Sequence, residues 1–590
     1  MTAHVFALAM AGLGVNGPED AVPKWEAISW PAHEDNVRRL RQRIFKASQE
    51  GDLAKVRNLQ KLMLRSWSNV LVSTRQATQR NAGRSTAGID GEVALTSPAR
   101  MALAVRVHSE RESWQPLPVR RVYIPKAGNR TKLRPLGIPV IADRCHQGRV
   151  RNALEAEWEA RFEPKSYGFR PGRSCQDAAQ AIFMTCRGPR AKRLWVLDAD
   201  LAAAFDRIDH DRLLEALGSF PARDMIRDWL KAGVFEAGKG FAPTEEGTPQ
   251  GGVISPLLLN VALHGLEQAA GVRYKTSGRQ AGGTRTDSPV VVRYADDLVA
   301  LCHSKEQALQ VQARLTEWLA PRGLVFNQEK TKIVSLEEGF DFLGFNVRRY
   351  RGKLLIKPSK AAIGRIRRRL AVEMRRLRGS NVSAVLAKIL PITRGWAAYY
   401  RAVVSKRIFT SLDDYMWKLT YKWASYSHQN KPKAWIVRRY YGLFNPTRAD
   451  RWVFGDRASG AYLPKFAWTP IVRHYMVPGT ASPDDPDLAQ YWADRRRKSK
   501  PPLDKATLAL LQVQSGLCPL CEDHLLHVER EPQSPEEWEE WLSGTRKAMA
   551  RKNLTAARGR PGTTDGIRLV HTSCWRQYTG ASRSTGTART

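Results

Sequence analysis

Acidic residues are the scarce class in this chain. Across 590 residues, 57 Asp and Glu face 95 Lys and Arg, giving a formal net charge of +38 and a pI near 10.3. Such a deficit makes a cationic partner unfavourable and a polyanion favourable, and binding to that polyanion should weaken steeply with salt. Long apolar runs are missing as well. No stretch reaches the length needed to cross a bilayer, so a membrane partner is not expected. The mildly apolar stretch Val5 to Val15 has no Lys or Arg before it, which argues against a secretory signal. Cysteines number only seven. Cys145, Cys175, Cys186 and Cys302 are scattered and read as small buried residues, so a disulfide framework is excluded and a reducing cytoplasm fits. The hydrophobic fraction, 43%, is ample for folded cores, and the length predicts three or more domains.

The few acids are informative where they fall. Tyr294-Ala295-Asp296-Asp297 lies between Val290-Val291-Val292 and Leu298-Val299-Ala300-Leu301, which predicts a β-hairpin with carboxylates at its tip. About a hundred residues upstream, Leu194 to Leu201 is strand-like and carries Asp198 and Asp200 on one face. Alternation alone does not choose between those two. Acids on neighbouring strands can converge on two Mg²⁺ ions, which suits in-line attack of a 3′-hydroxyl on a phosphate.

Several other stretches carry a pattern. Asn36 to Thr78 has apolar residues at helical spacing (Val37, Leu40, Ile44, Val56, Leu59, Leu62), and Asn81 to Gly91 is a polar, glycine-rich loop. Val119 to Ile141 alternates apolar and basic residues and predicts a hairpin turning at Ala127 to Arg130. Ser166 to Ser174 reads as a shaped loop carrying Arg170 and Arg173. Gly247 to Asn260 is a Gly/Pro turn leading into an apolar helix. Glu306 to Leu319 reads as a helix. After Lys357-Pro358-Ser359 comes a basic amphipathic helix, with Ile363, Ile366, Leu370, Met374 and Leu377 in one stripe and Arg365, Arg368, Arg369 and Arg376 away from it. Near the C-terminus, Cys518-Pro519-Leu520-Cys521 and His571-Thr572-Ser573-Cys574 supply two close pairs of N/S ligands, which suits one tetrahedral structural Zn²⁺. The insert between them, Pro532 to about Gly559, looks helical and charged.

These motifs together resemble the reverse transcriptases encoded by bacterial group II introns, over roughly Trp25 to Tyr578. Tyr294 to Asp297 is similar to that family's active-site box, and Leu390-Pro391-Ile392-Thr393-Arg394-Gly395-Trp396-Ala397-Ala398-Tyr399-Tyr400-Arg401 resembles its maturase signature. The resemblance implies an α+β fold: right-hand polymerase fingers and palm with an antiparallel palm sheet, a helical thumb/maturase domain, and a small zinc-binding C-terminal module. It implies blocks at 1–95 (N-terminal extension), 96–350 (fingers and palm), 351–449 (thumb/maturase), 450–510 (DNA-binding region) and 511–590 (zinc module). It selects Asp200, with Asp296 and Asp297, as catalytic Mg²⁺ ligands. Phe205 becomes the ring beneath the incoming sugar, excluding a 2′-hydroxyl. Lys126, Arg134, Gln250 and Lys330 become nucleotide contacts, Lys330 touching the triphosphate or protonating the leaving pyrophosphate. Arg170, Arg173, Arg365, Arg368, Arg369 and Arg394 become nucleic-acid contacts.

The zinc segment resembles an HNH endonuclease module, but Leu526, Gly566 and Trp575 stand where that module has catalytic residues, so nuclease activity is doubtful. The implied activity is RNA-directed DNA synthesis from dNTPs on an RNA template with a DNA primer. The implied partners are the parent group II intron RNA, whose splicing the protein assists, and a target DNA entered during retrohoming. A free-standing reverse transcriptase recruited for host repair or defence would show nearly the same motifs. The protein is expected in the bacterial cytoplasm, on the nucleoid when bound to target DNA.

Overall fold

The protein is described by a computed structural model covering residues 24–126, 129–277, 282–445, 447–498, 518, 534–540, 554–558 and 567–571. The chain divides into two compact units that interleave along the sequence. One comprises 1–173, 192–335 and 477–493, the other 174–191, 336–476 and 494–590. These differ from the five consecutive blocks expected. In particular, the 450–510 block is split, because residues 477–493 return to the first unit.

The first unit opens on three helices, α1 (Trp30–Gln49), α2 (Leu53–Arg65) and α3 (Trp67–Arg75). Side-chain caps set two of the boundaries: Asp52 accepts from the Lys55 amide and Ser66 from the Asn69 amide. Val37, Ile44, Val56, Leu59 and Met63 form the buried stripe. Leu62, expected in that stripe, is 40% exposed, and its neighbour Met63 faces inward instead. After α4 (Ser97–Ser109), helix α5 (Ile141–Glu159) offers Val150, Ala153 and Leu154 to the same core. The returning segment is tied down by charge. Arg41 on α1 donates to both carboxylate oxygens of Asp484, at 2.8 and 2.7 Å, and to Glu155 at 2.8 Å. This bidentate pairing of a half-hidden guanidinium explains why 477–493 leaves its sequence neighbours.

Asp143, near the start of α5, is buried and accepts from two indoles, Trp114 Nε1 at 2.7 Å and Trp229 Nε1 at 2.8 Å. Burial pushes its carboxyl up from the ordinary 3.8 to about 6, against the pull of those donors. Between these values the folded protein holds a proton that the unfolded chain has released. Stability from this group is therefore fullest at low pH and is lost as pH rises toward and through about 6. The loss is on the order of 3 kcal/mol. Asp143→Asn keeps an acceptor for the indoles and removes the titration. Its thermal midpoint should gain on that of the wild type between about pH 4.5 and about pH 7.5, and parallel curves would contradict this reading.

Two sheets complete the first unit. Strands β1 (Val119–Lys126) and β2 (Asn129–Ile138) form the expected hairpin, and β4 (Val234–Glu236) and β5 (Gly240–Ala242) extend it in the order β2-β1-β4-β5. The turn residues Ala127 and Gly128 and the Lys126 side chain lie outside the described residues. The second sheet, entirely antiparallel, has the order β6-β7-β3-β8, from β3 (Trp195–Asp200), β6 (Val290–Tyr294), β7 (Asp297–Cys302) and β8 (Lys332–Ser335). The further helices of this unit include α6 (Ser255–Ala262) and α7 (Lys305–Leu319), the latter capped by Ser304.

The second unit has a three-stranded sheet of β9 (Phe340–Phe342), β10 (Phe345–Tyr350) and β11 (Lys353–Pro358), followed by α8 (Lys360–Arg376), α9 (Val382–Tyr400), α10 (Lys406–Ser427) and α11 (Lys433–Tyr440). Its core is aromatic. Trp396, Tyr399 and Tyr400 on α9 are buried, and Phe345 stacks on Tyr399 with centroids 5.2 Å apart. These rings fill the interior and are not available to stack on RNA. On α8, Ile366, Leu370 and Met374 face inward, while Arg365 and Arg368 are exposed. Arg369, expected on the nucleic-acid face, is instead taken up by an ion pair with Glu539.

Residues 535–540 are helical and pack closely on α9, where a Cβ at Gly395 would stand 2.8 Å from both the Glu539 amide nitrogen and the Pro535 carbonyl. The short strands β12 (Tyr441–Gly442) and β13 (Val453–Phe454) pair with each other. The insert is not wholly helical: Leu554–Arg558 is a strand, β14, antiparallel to β15 (Ile567–His571). Of the expected zinc ligands, Cys518 is buried and His571 closes β15, whereas the His571 ring, Cys521 and Cys574 lie outside the described residues. Among the described residues no helix is long and apolar enough to cross a membrane.

Candidate active site

The antiparallel register brings the acids together. Asp200, last residue of β3, pairs directly with Asp297, first residue of β7. Tyr294 pairs with Asp297 across the hairpin, leaving Ala295 and Asp296 as a two-residue turn. Such a turn needs a positive φ, and Ala295 supplies it at 58°. Asp198, left level with Asp200 by alternation, sits two residues back beside Lys332, whose Nζ is 3.8 Å away. The three carboxylates act on one another. Burial first, then the charge of Asp296 and a hydrogen bond and charge from Asp200, raise Asp297 from 3.8 to about 8. Burial, with help from Asp200, also raises Asp296. Lys330 answers part of this charge, its Nζ 2.5 Å from Asp200 Oδ2.

Oxygen ligands that repel one another when ionised, at the ends of the two central strands of a sheet, suit a hard divalent cation such as Mg²⁺. Asp200, Asp296 and Asp297 therefore fit such an ion in type. Among the described residues, no group of three His, Cys, Asp or Glu is already drawn together as a metal cage.

The turn is held from behind by residues whose importance is not evident in the sequence. Arg293, buried on β6, donates from Nη1 to the Ala295 carbonyl at 3.2 Å and to Asn260 Oδ1 at 2.9 Å. Asn260, on α6, donates in turn to the Gly168 carbonyl at 2.9 Å. Gly168 lies so close that a Cβ there would fall 2.2 Å from the Ala295 nitrogen. One signal was available, a lone arginine closing a run of three valines. A cation buried in an apolar strand needs internal partners.

Other residues expected to contact the nucleotide occupy the segment after β3, the Gly-rich loop and β2. Phe205 is half-buried, packs edge-on against Phe169 with centroids 6.1 Å apart, and accepts at its carbonyl from the Thr248 amide at 2.6 Å. Gln250 accepts at its carbonyl from the Gly137 amide at 2.7 Å, joining the Gly-rich loop to the end of β2. Gly251 has φ 120°, and a Cβ there would lie 2.5 Å from the Gly137 carbonyl, so only glycine permits this approach. Arg134 is exposed on β2, and its charge helps to stabilise ionised Asp296.

Two expectations are corrected. The Arg170 side chain is fully buried, bound bidentately to Glu159 at 3.0 and 2.9 Å and donating to the Glu163 and Ser166 carbonyls. Arg173 is also buried and donates to the carbonyls of Pro164, Gly479 and Ala481. All three nitrogens of Arg170 and both terminal nitrogens of Arg173 face loop carbonyls or a carboxylate inside the protein, so neither guanidinium is placed to meet template phosphates. Arg394 is half-buried on α9.

Comparison with known proteins follows the same layout. A reverse transcriptase (RNA-dependent DNA polymerase) domain matches residues 124–347, an N-terminal domain of reverse transcriptase matches 25–107, and a group II intron, maturase-specific domain matches 363–441. Protein YkfC of Escherichia coli (strain K12) is 35% identical over 320 residues, 48% of this chain and 81% of that protein. Group II intron-encoded protein LtrA of Lactococcus lactis subsp. cremoris is 37% identical over 232 residues, covering 38% of this chain and 37% of LtrA. The chain thus spans most of YkfC but little over a third of LtrA. A solved telomerase from Candida albicans, in complex with a telomeric RNA fragment, aligns over 53% of this chain and 58% of its own at 15% identity. Its TM-score of 0.32 is too low to argue from. On its domain matches and on the extent of YkfC that it spans, the chain belongs to the reverse transcriptases of the group II intron type, which are RNA-directed DNA polymerases.

Proposed function

We propose that this reverse transcriptase binds its own group II intron RNA, assists its splicing, and copies it into DNA during retrohoming. The observation that carries the polymerase half is the β3–β7 register, which sets Asp200 against Asp297 beside the turn bearing Asp296. These three carboxylates would hold the two Mg²⁺, whose chemistry is to stabilise charge on the attacking and leaving oxygens of an in-line displacement. Lys330, paired with Asp200, turns to the triphosphate when a cation takes the carboxylate. Arg134 and Lys126 bind the phosphates, and Gln250 lies along the sugar.

Phe205 sets sugar choice. Phe205→Val should raise ribonucleotide use relative to deoxynucleotide use by roughly 10- to 200-fold in kcat/KM, the range a changed apolar contact commands. An unchanged ratio would remove Phe205 from the sugar pocket.

The splicing half is a binding function. A strongly basic surface recognises folded RNA by shape and phosphate contacts. Exposed Arg365 and Arg368, with Arg394, are the arginines assigned to it, and the maturase-specific domain match over 363–441 supports this assignment. Cys518, Cys521, His571 and Cys574 are assigned one structural Zn²⁺ on ligand spacing. Asp296→Ala protein should still promote splicing of its precursor RNA at moderate salt. Loss of splicing by that variant, folded and RNA-bound, would contradict a separate binding function.

A further inference from the structure

A cavity of about 330 Å³ opens on the second unit, where α10 meets the β12–β13 pair, far along the chain from the polymerase motifs. Its walls include Trp417, Tyr441, Trp452, Phe466, Asp413 and Asp414. Tyr441 and Phe466 are buried, but Trp417 is 39% and Trp452 52% exposed, an unusual placement for the largest apolar side chain. Tyr421 stacks on Trp417, with centroids 5.5 Å apart and planes at 16°. Trp452 is different: Trp417 and Tyr441 meet it at 79° and 61°, and among the described residues no ring lies parallel to it. It is held by its neighbours yet keeps a face for stacking.

We propose that this cavity receives one unstacked nucleobase of single-stranded RNA, stacked on Trp452, with its exocyclic amino group directed to the acidic wall. This rests on the RNA-binding reading above and adds a specific subsite to it. The volume is at the small end for ligand pockets, suited to one heterocycle. Asp413 already accepts from the amides of Phe466 and Ala467, at 2.6 and 2.9 Å, which fixes it in place, while Asp414 is exposed. Carboxylate acceptors select bases that offer N–H donors. Aromatic and acidic walls would also suit an organic cation. Exposed Lys418, Lys422 and Arg451 beside the cavity residues disfavour that occupant and favour a strand with phosphates.

The test uses the full-length protein and a short single-stranded RNA with one central 2-aminopurine, compared with the same RNA carrying an abasic site there. Wild type should quench the 2-aminopurine emission and bind the abasic RNA roughly tenfold more weakly. Trp452→Ala should lose the quench and bind both RNAs alike, while keeping primer extension, and Trp452→Phe should retain most of the effect. Asp414→Asn, at an exposed position, should weaken 2-aminopurine binding several-fold without altering abasic binding. A quench that survives Trp452→Ala, or a wild type indifferent to the missing base, would overturn the subsite. Failure of the wild type to bind either RNA at low salt would overturn the RNA-binding reading itself, and the subsite with it.

Discussion

Asp296→Ala protein should lose RNA-templated primer extension by about 10³-fold or more and remain folded. The two halves of that expectation have one origin. Asp296 is half-buried beside two other carboxylates, and its partial loss of solvent, with the charge of Asp200, already raises its own carboxyl. Removing it relieves repulsion on Asp297, whose carboxyl Asp296 helps to push to about 8. The metal-free variant should therefore melt no earlier than wild type near neutral pH, and Mg²⁺ should raise its midpoint less. RNA affinity, which draws on basic surface, should be nearly unchanged. Extension at the wild-type rate would remove Asp296 from the metal site, and a large drop in midpoint would make it a structural residue.

Gly168→Ala should be almost as damaging, through backbone geometry alone. The added methyl would sit 2.2 Å from the Ala295 nitrogen and 2.8 Å from the Tyr294 carbonyl carbon. Both are main-chain atoms of the hairpin turn, so no rotamer change can make room. The turn must move by about 1 Å, and a displacement of that size at a reacting centre costs on the order of 10²-fold in kcat. Overpacking adds roughly 1–3 kcal/mol of instability. Gly364→Ala is the matched control: it lies within α8, a Cβ there meets nothing within 4 Å, and alanine should stabilise the helix by up to ~1 kcal/mol. A Gly168→Ala enzyme with wild-type kcat would show that the Asn260–Gly168 support does not position the carboxylates.

Part of this site was legible in the sequence because strands advertise themselves by alternation and acids stand out among valines. Tyr294 to Asp297 gave a hairpin, and a hairpin tip fixes which residues share an edge. Asp198 and Asp200 could not be separated that way, since the choice depends on the register of β3 against β7, a long-range fact. The arginines show the opposite limit. Arg170 and Arg173 look like phosphate ligands in a glycine-rich loop, yet Glu159 and two carbonyls around the first, and three carbonyls around the second, take their donors. Those acceptors are brought near by folding, partly from residues 477–493, more than three hundred positions away. Trp396, Tyr399 and Tyr400 were ambiguous for a related reason: helical spacing says they share a face, but burial says what covers it.

If the chain works on the intron RNA that encodes it, that RNA should stay bound to it in the cell. The most direct measurement is to purify the protein from its native host and sequence the RNA that accompanies it. One long, structured RNA whose internal reading frame encodes this chain is the predicted result. A mixed population, or a short RNA unrelated to the reading frame, would contradict the intron assignment and leave a reverse transcriptase in other service.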